Sequence, residues 1–206
     1  MKKICRLVSK VLGISMLFSI LCVPALAVET PLKNEEIKVV NLETGDILDV
    51  SDYSVEVTEQ EDDTIVKTVT ADISLSKPET RSSVTDAGVT VRITCITSAT
   101  NSGSNKRITK FDAKYELLDP AFTISSRHVK VGNYGAQQVQ QGTVSNYIYD
   151  YYPTTNTFSK SYSNMPWVGS VGAPAFVGGY AECQISRGGS SWSLQCRDFV
   201  IENGLF

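Results

Sequence analysis

In VTVRITC, Val89, Val91, Ile93 and Cys95 share one face and Thr90, Arg92 and Thr94 the other. A period of two suits a half-buried β-strand and is incompatible with an amphipathic helix. The alternation returns further on, where Phe111, Ala113, Tyr115 and Leu117 interleave with Lys110, Asp112, Lys114 and Glu116. More strands are expected from Phe122 to Val131, Gly142 to Tyr152, Phe158 to Tyr162, Ala175 to Arg187 and Trp192 to Ile201. Polar turns such as SATNSGSNK (98–106) and Asp119-Pro120 separate them. Many short strands between Gly, Asn, Ser and Pro turns predict an all-β fold. The expected form is an antiparallel, immunoglobulin-like β-sandwich, with a barrel as the competing closure.

The N-terminus constrains the compartment. Lys2, Lys3, Arg6 and Lys10 precede an apolar run from Val11 to Val23, and Ala25-Leu26-Ala27 follows. These are the three parts of a secretory signal peptide, cleaved after Ala27. The run is shorter than the ~20 residues of a spanning helix, and Ser19-Ile20-Leu21 before Cys22 is a poor lipidation site. No later segment is apolar enough to span a membrane. The expected product is a secreted, extracellular protein of 179 residues, enough for one domain with or without an arm.

Charge divides that product. Residues 28–82 hold 14 acids and five bases, whereas residues 83–206 hold eight acids and ten bases. Only Tyr53 is aromatic in the first segment. Net negative charge with few aromatics predicts a weakly packed acidic arm over residues 28–83 and a sandwich over 84–206. Within the arm, turns near Glu43-Thr44-Gly45-Asp46 and Glu61-Asp62-Asp63 predict short hairpins. Lys77 to Ser83 reads as a linker. No basic surface points to nucleic acid.

The chain resembles a group of uncharacterised exported proteins of Gram-positive bacteria. The resemblance rests on the signal peptide, on IKVVNLETGDILDV, and on the blocks ITKFDAKYELLD, ISSRHVKVGNYG and RGGSSWSLQC. It implies a β-sandwich and extracellular placement, and carries no activity or site.

Few chemistries have their parts. The single histidine, His128, alternates with Val129 and Val131, so it is expected on the solvent side of a strand beside Lys130. A Ser–His–Asp triad needs a nucleophile on a strained turn with the base in reach. Asp150 and many serines are present, but no G-x-S-x-G turn is, and VGSVG (168–172) misses that spacing. Cys95, Cys183 and Cys196 fall on apolar faces, where a thiol is inert. Zinc wants close Cys/His spacings that the chain lacks, and no acidic loop matches a calcium pattern. No catalytic residue, metal or cofactor is therefore expected.

Aromatics give a positive hint. NYIYDYYP places Tyr147, Tyr149 and Tyr151 on one face of a strand, with Ile148 and Tyr152 on the other. With Ile148 toward the core, the three tyrosines form an external stripe and candidate ligand contacts. Alternatively they form a cross-strand ladder with Phe158 and Tyr162. Trp167 and Trp192 are expected in the core.

CQISRGGSSWSLQC reads as a hairpin. A four-residue loop at Gly188-Gly189-Ser190-Ser191 sets Arg187 opposite Trp192, Ile185 opposite Leu194 and Cys183 opposite Cys196. That register makes Cys183 and Cys196 the disulfide candidate and Cys95 the unpaired thiol. The alternative is a pairing of Cys95 across the core with either partner.

The expected function is a non-enzymatic binding or interaction module at the cell surface, with a glycan or protein ligand. An extracellular hydrolase with carboxylate or His128 chemistry is the alternative, and His128 in a cleft beside Asp150 or a cysteine would favour it. Self-assembly through strand edges is a third expectation.

Overall fold

The computed structural model describes residues 37–48, 50, 52–60, 62–75, 90–136, 144–169 and 174–203. The expected signal peptide (1–27) and the expected Lys77–Ser83 linker lie outside them. In chain order the strands are β1 (Ile37–Asn41), β2 (Ile47–Leu48), β3 (Tyr53–Glu59), β4 (Thr64–Ile73), β5 (Val91–Ser102) and β6 (Asn105–Leu117). They continue as β7 (Thr123–Ala136), β8 (Val144–Tyr151), β9 (Thr157–Ser161), β10 (Val168–Gly169), β11 (Ala175–Arg187) and β12 (Ser190–Asn203). No helix occurs among the described residues.

The strands form two antiparallel sheets. Sheet A runs β2-β1-β12-β11-β7-β8, and sheet B runs β10-β6-β5-β4-β3, with β9 also paired to β6. Alternation explains the layering. Val91, Ile93 and Cys95 of β5, Phe111, Ala113 and Tyr115 of β6, and Val129 and Val131 of β7 are all buried. They meet Ala181, Cys183 and Ile185 of β11 and Trp192, Leu194 and Cys196 of β12 in one core.

The arm is corrected by this pairing. Both hairpins form, but they lie within the sandwich. β1 pairs along β12 from Ile37↔Cys196 to Asn41↔Trp192, and β4 pairs along β5 from Thr64↔Thr100 to Ile73↔Val91. The described residues belong to one unit, Asn34–Phe206. Segment charge misleads here because the acids among the described residues occupy turns and outward positions. Ile65, Val69, Ala71 and Ile73 fill the inward ones. Aliphatic residues supply the core without aromatics.

Turn lengths also differ from expectation. SATNSGSNK contributes strand up to Ser102 and again from Asn105, around a tight turn with Gly103 at φ +60°. The last hairpin turns on Gly188 and Gly189 alone, at φ +55° and +95°. Two successive positive φ values are what a two-residue type I′ turn demands, and glycine meets them without strain. The ladder therefore closes at Arg187↔Ser190 and sets Ile185↔Trp192, Cys183↔Leu194 and Ala181↔Cys196. The face-to-face pairing of Cys183 with Cys196 is thus corrected. Cys95, Cys183 and Cys196 are all buried thiols. Trp192 is buried as expected, while Trp167 is half-buried beneath the Arg107 guanidinium, 4.5 Å from its ring.

A charged pair crosses the core. Lys67 of β4 lies 3.9 Å from the Asp198 carboxylate of β12, and its ammonium donates to the Phe199 carbonyl at 3.2 Å. Both side chains are nearly inaccessible, at 8% and 0%. Removing one member of a buried pair costs more than the pair contributes, because a desolvated charge remains. Lys67→Met is expected to destabilise by about 3–5 kcal/mol. The double variant Lys67→Met/Asp198→Leu should recover most of that loss in urea denaturation. Equal midpoints for the wild type and Lys67→Met would show that the pair is not coupled to folding.

Candidate functional site

Outward positions on sheet A converge on His128. Because Val129 and Val131 point inward, His128 and Lys130 of β7 point out, as the alternation predicts. β11 and β8 flank β7. They place Glu182 directly opposite His128 and Asp150 opposite Lys130. The His128 Nε2 atom lies 2.8 Å from Asp150 Oδ1, and its Nδ1 lies 3.9 Å from Glu182 Oε2. Lys130 Nζ stands 3.8 Å from the same Asp150 oxygen. Glu182 Oε1 also accepts from the Ser193 hydroxyl at 3.0 Å.

Aromatic rings frame the imidazole. Tyr152 stacks on it at 4.9 Å with planes 12° apart, and Tyr180 meets it edge-on at 5.7 Å. Tyr152 is 73% exposed, so its other face is open to solvent. Ser126, Arg127, His128, Tyr152, Pro153 and Glu182 line an open cleft of about 560 Å³.

A bulge shapes one wall. The register passes from Glu182↔His128 to Gln184↔Ser125, so β7 carries one residue more than β11. Ser126 takes φ 49° there, a left-handed conformation that non-glycine residues adopt only where the surroundings hold them. Bulges re-aim side chains in this way. Arg127 reaches Asn156 Oδ1 at 2.9 Å through Nε and the Ile124 carbonyl at 3.1 Å through Nη2. From beneath, the buried Tyr115 of sheet B donates its hydroxyl to the Glu182 carbonyl at 3.1 Å, with the His128 carbonyl 3.4 Å away.

The tyrosine stripe lies on the other side of β8. Tyr151, Tyr149 and Tyr147 pair with Val129, Val131 and Asn133, so they point to the core side, which corrects the external stripe. β8 is the edge of sheet A, and there its rings meet the β9 segment of sheet B. Tyr151 packs on Phe158 at 4.9 Å and Tyr149 on Tyr162 at 5.8 Å. The Tyr162 hydroxyl donates to that of Tyr151 at 3.4 Å. These rings close the sandwich edge. Tyr147 and Tyr149 keep 45% and 40% exposure because, among the described residues, no strand lies beyond β8.

The cleft holds charge and an aromatic platform in place. Each imidazole nitrogen faces a carboxylate, and the Ser126 hydroxyl faces Gln184 Oε1 at 3.5 Å. A triad base needs one nitrogen on the carboxylate and the other on the nucleophile; here Glu182 occupies that second side. Among the described residues no group of three or more His, Cys, Asp and Glu is placed to hold a metal ion.

No family model, curated protein or solved structure matches the chain. The chemistry of the cleft is therefore argued from its own residues. His128 and Asp150 were individually visible in the sequence. Tyr152, Tyr180, Glu182 and Arg127 were not, because strand neighbours and a bulge bring them together. An aromatic beside a proline at a strand exit, Tyr152-Pro153, is the local signal that could have pointed there.

Three phenols near the core and cleft are raised above their ordinary range. Burial does this to Tyr115, aided by the sulfurs of Cys183, Cys95 and Cys196. Burial raises Tyr162, with the Tyr151 hydroxyl next, and burial then Glu182 and Asp150 raise Tyr180. Unfolded phenols ionise near ~10, so above that pH the native state holds protons that the unfolded state releases. Stability is complete below about pH 10 and falls as pH rises toward the folded values. Urea midpoints measured from neutral to alkaline pH should show this decline. Tyr115→Phe and Tyr162→Phe should each make it shallower; a decline of unchanged slope in both would assign it to other groups.

Proposed function

We propose that the protein is a non-enzymatic exported binding module whose sheet A cleft takes a hydroxyl-rich glycan at or near the cell surface. The observation that carries this reading is the Tyr152–His128 stack. An aromatic ring with one open face is held by an imidazole that Asp150 clamps at 2.8 Å. A sugar ring offers an apolar C–H face to such a platform. Its hydroxyls suit the Glu182 carboxylate as acceptor and the Arg127 guanidinium as donor, all on rigid strands.

Export is part of the proposal, supported by the basic start, the apolar run and Ala25-Leu26-Ala27. So is an immunoglobulin-like character of the sandwich, supported by two antiparallel sheets between which the chain crosses repeatedly. Kinship with exported proteins of Gram-positive bacteria belongs here too, on the sequence blocks alone.

One observation favours the hydrolase as a second reading: His128 does stand in a cleft beside Asp150. Against it, a glycosidase pair works across a space that receives the substrate, whereas the His128 ring fills the space between Asp150 and Glu182.

A glycan array followed by calorimetric titration of the best ligand tests the proposal. Tyr152→Ala is expected to weaken binding at least about tenfold while leaving the melting temperature close to wild type. Turnover of a glycan that is lost in His128→Ala would put the hydrolase reading first. No binding to any glycan would remove the ligand class.

A further inference from the structure

β5 and β12 lie face to face across the core in a regular alignment. The Cys95 thiol donates to the Cys196 carbonyl at 3.7 Å, and two residues further the Thr97 hydroxyl donates to the Asp198 carbonyl at 2.8 Å. Both contacts join residues 101 apart in sequence. Cysteine and threonine each reach only one heavy atom beyond Cβ. Such contacts with the opposite backbone bring the two strands well inside the usual ~10 Å separation of packed sheets. Small neighbours permit this approach. Cys95 has Ala113 on one side in its sheet, and Cys196 has Ala181 on one side in its own.

We propose that Cys95 and Cys196 are a disulfide site that links sheet A to sheet B, with Cys183 remaining a buried thiol. The Cys95 side chain faces both the thiol and the carbonyl of Cys196, and both residues are fully buried. A bridge requires Cα atoms ~4.4–6.8 Å apart, a range toward which the close strands already bring them. Cys183 is placed differently. It sits opposite Leu194, two residues out of step with Cys196 on the adjacent strand, a diagonal of about 7–8 Å.

The oxidant is a disulfide, carried by a thiol–disulfide oxidoreductase or by oxidised glutathione. One cysteine thiolate attacks a sulfur of that disulfide, forming a mixed disulfide and expelling one oxidant thiol. The second cysteine thiolate then attacks the chain's own sulfur in the mixed disulfide. The Cys95–Cys196 bond forms, the second oxidant thiol leaves, and the two thiol protons go to solvent and the departing thiolates. Two electrons pass to the oxidant.

Timing follows from burial. Desolvation first, and then the Cys196 thiol, push the Cys95 thiol well up, and burial pushes Cys183 to about 12. A thiol held protonated inside a closed core does not attack. The mixed disulfide therefore forms while the thiols are still wetted, the second attack follows as the sheets come together, and the folded reduced protein resists the same oxidant.

The full chain, expressed with export, is denatured without reductant, alkylated and mapped by peptide mass spectrometry. The same chain refolded from denaturant with reduced and oxidised glutathione supplies the oxidant directly. The expected result is a Cys95–Cys196 linked peptide with Cys183 alkylated, and a mass about 2 Da below the reduced form. Reduction should lower the melting temperature by about 10 °C. Cys183→Ser should keep the bridge, and Cys95→Ala should abolish it. Alkylation of all three core cysteines in both preparations, or a major bridge containing Cys183, overturns the proposal. Wild-type mapping decides the matter even where a variant fails to fold, and it is independent of glycan binding.

Discussion

A phenol from one sheet holding the backbone of the other is the contact on which the cleft depends. Tyr115 extends from β6 through the core to the carbonyls of Glu182 and His128, at the point where the bulge breaks the β7–β11 ladder. A carbonyl has two lone pairs, so a buried donor can reach one beside whatever the ladder supplies. Tyr115 provides that donor and is itself 1% exposed. The same residue thus ties β6 of one sheet to β7 and β11 of the other where β7 carries its extra residue. Without the bulge, Ser126 and Arg127 would continue the alternation of the strand rather than form a wall.

Edge position explains the rest of the site. Among the described residues β8 has no neighbour beyond it in sheet A, and its inner face is covered from the opposite sheet. Phe158 and Tyr162 meet Tyr151 and Tyr149 there. With that side sealed by rings, the outer side of β8 is left to present Asp150, and the chain leaves the strand at Tyr152 against His128. Structural tyrosines and recognition residues are thus neighbours in sequence on opposite faces of one strand. Mutating the stripe and mutating the cleft are physically different perturbations, the first to packing and the second to surface chemistry.

Period-two alternation made the strands legible, because a strand with one wet face has little choice of which residues to bury. VTVRITC and KFDAKYEL needed nothing beyond their own pattern. Alternation does not say which face is inner when both carry rings, and NYIYDYYP has tyrosine on both. Nor does it fix turn length. Ser190 and Ser191 look like loop residues, yet they extend the ladder because the two glycines already complete the turn. That two-residue difference moved Cys196 from Cys183 to Ala181. Summed charge failed for the opposite reason: it averaged exposed acids of the turns and β3, such as Glu43, Asp46, Glu56, Asp62 and Asp63, with the apolar inward face of β4. The bulge at Ser126 left no sign in the sequence, since nothing local to the chain demands a left-handed serine.

β12 is tied to both sheets. It pairs with β11 and β1 within sheet A. Across the core it supplies the Asp198 carboxylate near Lys67, and the carbonyls that receive Thr97 and Cys95. These partners belong to the β4–β5 hairpin, far earlier in the chain, so the loop between them must be closed before any of the contacts forms. Such ordering makes sheet closure slow relative to hairpin formation. During that interval the inward faces of β4 and β5 are wetted and their polar members, Lys67 and Thr97, are solvated. A core built only of aliphatic residues would expose a stickier surface at that stage. Polar groups in the closing seam make the open form more soluble and restrict the closed form to the one alignment in which each meets its partner.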